Sequence, residues 1–497
     1  MTTPARRPVR TLGAVLAAAA LALGGVLVAP MAAQAATLTV TSDLDDSSGG
    51  TLREVIATAN SGDTIVFDPS VTTIALAGGI PLEKGITIDG GGTVTITRGI
   101  VGAFTQFGIQ PDVPDQDYTF KNITIAGIPG GQGWAMYASY GGDPAVNAPR
   151  DITLSTVTVR DETSPFGPAF SAFQVGGNIL IEDSVIENNT ATVSDGGALN
   201  FDSVHGDITI TNSVLRGNAA TAGSGGALAI PYLDIPDSLI ITGTTFDSNE
   251  AAGDGGAIDI GQTDGTVLID SSTFTGDIVG GESAGAALSI GEISGGSVEI
   301  VNSTLDEMET GSPVIFLSNE GGTFRLAYST VVGDFPLYFL SAFGSHTVVS
   351  SIINGLGNPA ISVQFPDDSV IVSYSILSSA QTGVIADNGG TQFSVTDPKL
   401  GPLQDNGGPT FTRLPLAGSP AIDKGLPGGT PPEFDQRGTG FPRVVGARVD
   451  VGAVETSYPL AATGQTLNLW IPIIGGVLLI GGAAAIVINV LRRRRLR

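Results

Sequence analysis

The chain has 497 residues, 70 of them glycine, with 42% hydrophobic and 14% charged side chains; this is not a disordered composition. It has no cysteine, which excludes disulfides and thiolate metal sites. With 48 acidic residues against 22 basic ones the net charge is −26, which repels phosphate backbones and excludes nucleic acid as a partner class.

Residues 1–35 read as a signal peptide. A short basic region with Arg6, Arg7 and Arg10 precedes the apolar run Leu12–Pro30. Small residues at Ala33 and Ala35 then fit a signal peptidase pocket, so cleavage is expected after Ala35. Pro8 follows the arginine pair and the rest of a twin-arginine motif is missing, which favours general secretion.

Residues 36–85 read as an N-terminal cap. In "GTLREVIATANSGDTIVFDP", Gly50–Pro69, the side chains of Leu52, Val55, Ile56 and Ala59 share one face of a short helix. "DTIVFDP" follows as a strand, and "GITIDGGG", Gly85–Gly92, opens the next region. An open stack of strands would expose unpaired edges, so a cover at this end is expected.

Residues 86–396 carry a repeat. Runs of β-branched residues alternating with Ser, Thr and Asn start at Ile152, Ile179, Ile208, Leu239, Val267, Val298, Phe324, Thr347 and Val370, at spacings of 23 to 31 residues. A unit this small cannot bury its own apolar face, so it must stack on its neighbours. The predicted fold is all-β: a single-stranded right-handed parallel β-helix, a solenoid of about eleven rungs some ~4.8 Å apart. A propeller would need longer blades, and the frame of a leucine-rich repeat is absent.

"DGGALNF" at Asp195–Phe201, "SGGALAI" at Ser224–Ile230 and "DGGAIDI" at Asp254–Ile260 mark one corner of successive rungs. The pairs Gly196-Gly197, Gly225-Gly226 and Gly255-Gly256 supply a tight turn and a close approach, with Leu199, Leu228 and Ile258 pointing inward. An asparagine precedes each corner, at Asn189, Asn218 and Asn249, and stacked amides could form a ladder along the rod. The pairing of GGA-I/L with F-x-x-N resembles the repeats of chlamydial polymorphic membrane proteins, which are surface adhesins on a β-helix.

Candidates for chemistry are sparse. Asp254, Asp259, Asp264 and Asp270 crowd together in sequence, and paired carboxylates can do acid–base work. Arg216 and Arg325 could serve as bases in a lyase-like site, and "VHGD" and "PDD" are faint fragments of hydrolase motifs. His205 and His346, the two histidines, read as surface or turn residues. Cofactor: none, with Ca²⁺ possible at "DLDD" (Asp43–Asp46), "DVPDQD" (Asp112–Asp117) or the two "DNGG" turns, Asp387–Gly390 and Asp405–Gly408. "DGGG" at Asp89–Gly92 is a turn and not a phosphate loop.

Residues 397–456 read as a C-terminal closing segment, with an internal pairing of Asp435, Arg437 and Asp450. "DPKLGPLQDNGGPTFTRLPLAGSPAIDKG" and "DQRGTGFPRVVGARVDVGAVE" closely resemble the choice-of-anchor Q segment that closes β-helices displayed on bacterial surfaces. The resemblance implies display on a surface.

A linker, 457–468, then carries "LAATG": Leu460, Ala461, Ala462, Thr463 and Gly464. The apolar residues 469–491 would cross a bilayer as a helix, and the basic tail 492–497 would stay inside. This order resembles the cell-wall sorting signal of Gram-positive bacteria in its high-GC form, L-A-x-T-G. The resemblance implies cleavage by sortase between Thr463 and Gly464 and transfer to peptidoglycan. The expected function is therefore display at the cell surface, as an adhesin or a matrix component touching glycans or other surface proteins. The alternative is a surface-anchored polysaccharide lyase or glycoside hydrolase of the same fold. Without sorting, residues 469–491 would hold the chain in the membrane.

Overall fold

In the computed structural model the chain is described over residues 35–111, 116–139, 151–281, 284–307, 311–365, 369–379 and 385–456. The expected signal peptide, sorting motif and membrane span lie outside these residues, apart from Ala35. The described chain is an all-β parallel β-solenoid of right-handed type, with about 11 turns and almost no helix.

Each turn of the central rungs contributes strands to three long faces. Face A stacks Phe170–Val175, Leu199–Val204, Leu228–Leu233, Ile258–Thr263 and Leu288–Ile293. Face B stacks Ile179–Glu182, Ile208–Thr211, Ser238–Thr242, Thr266–Asp270 and Ser297–Val301. Face C stacks Val185–Glu187, Val214–Arg216, Thr245–Asp247, Thr273–Thr275 and Thr304–Glu307. A fourth sheet of two-residue strands, from Thr163–Ser164 to Ile278–Val279, fills the corner between faces C and A. Pairing is parallel and in register, as in Leu199 with Leu228 and Leu228 with Ile258.

Alternation drives the burial. In "ITIT", Ile208 and Ile210 are buried while Thr209 and Thr211 are partly exposed, and the same two-residue period recurs in the strands above and below. The inward side chains form one continuous core from Val40 to Leu377. Phe246 and Phe274 stack inside it in parallel, 4.6 Å apart.

The helix Leu52–Thr58 closes the N-terminal end. Thr51 caps it by accepting from the N–H of Glu54, and Leu52, Val55, Ile56 and Ala59 join the core. The C-terminal segment differs from the expected terminal cover. It contributes an antiparallel hairpin, Leu400–Gln404 with Thr412–Pro415, and then runs back along the flank of the rod. Thr410 Oγ1 donates to the Ser271 carbonyl at 3.1 Å, and Gln436 Nε2 to that of Ser272 at 3.1 Å. Lower down, the N–H groups of Leu426 and Ala453 donate to Ser350 Oγ and Thr330 Oγ1 at 2.9 and 3.1 Å. Val449 and Val451 seal small apolar clusters on that flank with Tyr328 and Ile352. Asp435 and Arg437 pair at 2.7 Å, whereas Asp450 is held by the N–H of Asp423 and by Thr456.

Candidate functional site

The repeated letters sit at the corner between faces C and A. Gly196, Gly225 and Gly255 have φ of 74°, 69° and 67°, a region costly for other residues. Their partners serve another purpose. A Cβ on Gly226 would lie 2.0 Å from the carbonyl oxygen of Gly256 and 2.7 Å from the Glu250 backbone, so only glycine lets the rungs close up; Gly197 and Gly256 stand in the same place.

The asparagines form a buried column. The backbone N–H and the Nδ2–H of Asn189 both donate to Asn218 Oδ1, at 3.1 and 3.0 Å. Asn218 does the same to Asn249 Oδ1, at 3.2 and 3.0 Å, and Asn249 to Asp277 Oδ1, at 2.8 and 2.9 Å. The remaining amide hydrogens go to the carbonyls of Val159, Ile186 and Leu215. Every amide group is satisfied by a neighbouring rung, the condition for burying it.

Charged groups terminate the column. At one end the N–H of Glu162 donates to Asn189 Oδ1, and its carboxylate receives Arg98 Nη2 at 2.7 Å and Gln106 Nε2. Burial pushes the Glu162 carboxyl up to about 7, against the pull of Arg98. At the other end the N–H of Asp277 donates to Glu307 Oε2 at 2.9 Å. Both acids are fully buried, and burial pushes both carboxyls up, Glu307 well above its ordinary value. The two carboxyls meet at the foot of the column, and one buried oxygen of each, Asp277 Oδ2 and Glu307 Oε1, has no hydrogen-bond partner.

A second column was missed by the sequence reading. Between faces B and C a residue with positive φ, such as Asn212 at 48°, is followed by a buried hydroxyl. Ser184, Ser213, Thr244, Ser272, Ser303, Ser329 and Ser351 each send the backbone N–H to the hydroxyl oxygen of the next, the series ending on Ser375 Oγ, at 3.1 to 3.4 Å. The signal was the S or T recurring inside each strand-like run, as in "TNSVL" and "VNSTL"; alternation alone cannot tell a buried serine from an exposed one.

The expected acidic cluster does not assemble as one site. Asp259, on the outward side of face A, lies beside Asp254 and Asp195 on the corner loops, and burial pushes its carboxyl up to about 7. Both loop acids are engaged, Asp195 by the N–H of Ser224 and Asp254 by the N–H of Ala284. Asp264 accepts from the Tyr232 hydroxyl at 2.9 Å, and Asp270 belongs to face B. His205 is exposed in a turn, but His346 is buried on an inward position of face B, 2.8 Å from Asn319 Nδ2 and edge-on to Phe339.

Asp45 pairs with Arg53, and Asp387 and Asp405 cap their own turns. "PDD" and most of "DVPDQD" lie outside the described residues. Among the described residues no three His, Asp or Glu side chains are grouped to hold a metal ion.

Faces A and B each present an outward surface. On face A, Trp134, Tyr137, Phe166 and Phe173 form a half-buried cluster with ring centroids 5.2 to 5.9 Å apart. On face B a shallow groove of about 260 Å³ crosses four rungs and is lined by Thr266, Ser297, Glu299, Thr323, Arg325 and Thr347, among others. Arg216 lies on face C and pairs with Glu187 at 2.6 Å, away from either surface.

No family model matches the chain, and no curated protein matches it. Among solved structures it is similar to the crystal structure of pectate lyase Pel9A, at 13% identity and a TM-score of 0.39, over 85% of this chain and 96% of that one.

Proposed function

We propose that the chain is a rod displayed on the outside of a bacterial cell, an adhesin or structural surface component, linked to peptidoglycan through Thr463. One observation carries this reading: the residues that repeat are engaged in building the rod. The corner glycines admit the neighbouring rung, and the asparagine and serine columns bond to one another. The stretch from Gly217 to Pro398 is acidic, with 21 acids against one base, as suits a soluble exterior. The N-terminus supports export. Ala36, first after the expected cleavage, donates its N–H to the buried Asp63 at 2.7 Å; in the processed chain an ammonium would meet that carboxylate.

The test is Thr463→Ala. The wild-type chain is expected to stay with purified cell wall after boiling in detergent, and the variant to be extracted. A variant that stays wall-bound would remove the sorting claim.

A second reading, a surface polysaccharide lyase or glycoside hydrolase, is favoured by Asp259. A carboxyl pushed up to about 7 beside two further carboxylates is the acid–base pairing such chemistry uses. It requires new reducing ends or unsaturated products from neutral or uronic-acid polysaccharides, lost in Asp259→Asn. Silence of the wild-type chain across both classes would dismiss it.

A further inference from the structure

The groove on face B points to a binding site for a neutral oligosaccharide, and we propose that the chain holds such a sugar across the rungs from Thr266 to Ser345. This site needs neither wall linkage nor the Asp259 chemistry.

The argument begins with register. Thr266, Ser297, Thr323 and Ser345 are in-line partners on four successive parallel strands, so their hydroxyls form an outward row with the rung spacing of ~4.8 Å. Two residues on, Leu268, Glu299, Arg325 and Thr347 form a parallel row. Ser297 Oγ donates to Thr266 Oγ1 at 3.4 Å, and Arg325 Nη1 donates to Glu299 Oε1 across one rung. The Arg325 and Glu299 side chains are each 41% exposed, so donor and acceptor edges remain open to solvent.

One side of the groove has a wall. The next outward column, with Val301 and Ala327, is covered by Tyr328 and by Val449 of the C-terminal segment, and Leu268 packs against that cluster. The flank crossing therefore turns a flat sheet into a trough, which a cover at the end of the rod would not do.

The chemistry selects the ligand. An arginine beside a carboxylate offers adjacent donors and acceptors, the complement of neighbouring sugar hydroxyls, and the Ser/Thr row offers groups that both donate and accept. The pair is self-neutralised, and Arg325 is the single base among 21 acids from Gly217 to Pro398. A polyanionic sugar would be repelled, so a neutral one fits.

The experiment is calorimetric titration of the full-length chain, purified in detergent, with gluco-, manno-, xylo- and galacto-oligosaccharides of four to six units. A galacturonate hexamer is the charged comparison. At least one neutral sugar is expected to bind in the millimolar range or tighter. Arg325→Ala and Glu299→Gln should each weaken it about tenfold, a charged hydrogen bond's share of affinity. Thr323→Val keeps shape and charge and should weaken it about threefold. Melting curves matching the wild-type curve certify the fold of each variant. No neutral binding at 10-fold excess over millimolar sugar, preference for galacturonate, or binding indifferent to all three variants would overturn the proposal.

Discussion

The upper and lower halves of the rod use different devices. From Asn189 to Asp277 each rung carries an asparagine-type corner, a two-residue strand and a glycine turn, and successive corners are 28 to 31 residues apart. Below Glu307 that corner is gone: Ser303, Ser329, Ser351 and Ser375 are separated by only 26, 22 and 24 residues. The serine column continues through both halves, whereas the asparagine column stops at the Asp277–Glu307 pair. The C-terminal segment lies against the rungs from Ser271 downward, largely where the upper devices run out. Stacking of hydrophobic rungs is common to both halves; the upper half adds a polar column inside, and the lower half a strap outside.

The sharpest way to break the upper half is Gly226→Ala. The added methyl meets backbone that cannot move without separating two rungs, so a loss of about 4 kcal/mol or more is expected. Urea unfolding checks it. A loss under about 1 kcal/mol would mean that the corner tolerates a side chain and that the repeat has another cause.

A smaller effect tests the end of the column. Both Asp277 and Glu307 hold protons more tightly folded than unfolded. Their contribution to stability is therefore full below the ordinary carboxylate range, falls as pH rises from about 4, and is lost as pH passes the raised folded values. Asp277→Asn continues the amide column and supplies an N–H that Glu307 can accept as a carboxylate. The variant should gain about 1 to 2 kcal/mol at pH 8 and little at pH 4. Thermal melts across that range decide. An unchanged pH slope would show that burial of the two acids does not tie stability to pH.

The strands of faces B and C were legible because alternating β-branched residues announce their own burial; Ile179, Ile208 and Val267 begin or nearly begin strands where the runs begin. The corner was legible because glycine pairs and asparagines repeat as letters. The serine column was hidden, since each serine falls on what reads as a polar step of a strand. The strap was hidden for a different reason. Its contacts join residues far apart in sequence, such as Gln436 with Ser272 across 164 positions, and no local pattern encodes the choice between the end and the flank of the rod. The face B groove was illegible for the same reason, because Arg325 and Thr266 meet only through register. Asp259 stood in a crowd of acids, and its neighbours Asp254 and Asp195 come from two different rungs.

The central claim, that this rod is built for display, is tested most directly at the C-terminus of the mature chain. Cell walls would be digested with a muramidase, and the terminal peptide of the released protein identified by mass spectrometry. The account predicts a peptide ending at Thr463 and carrying a peptidoglycan fragment. A chain recovered with Gly464 through Arg497 still attached would contradict it.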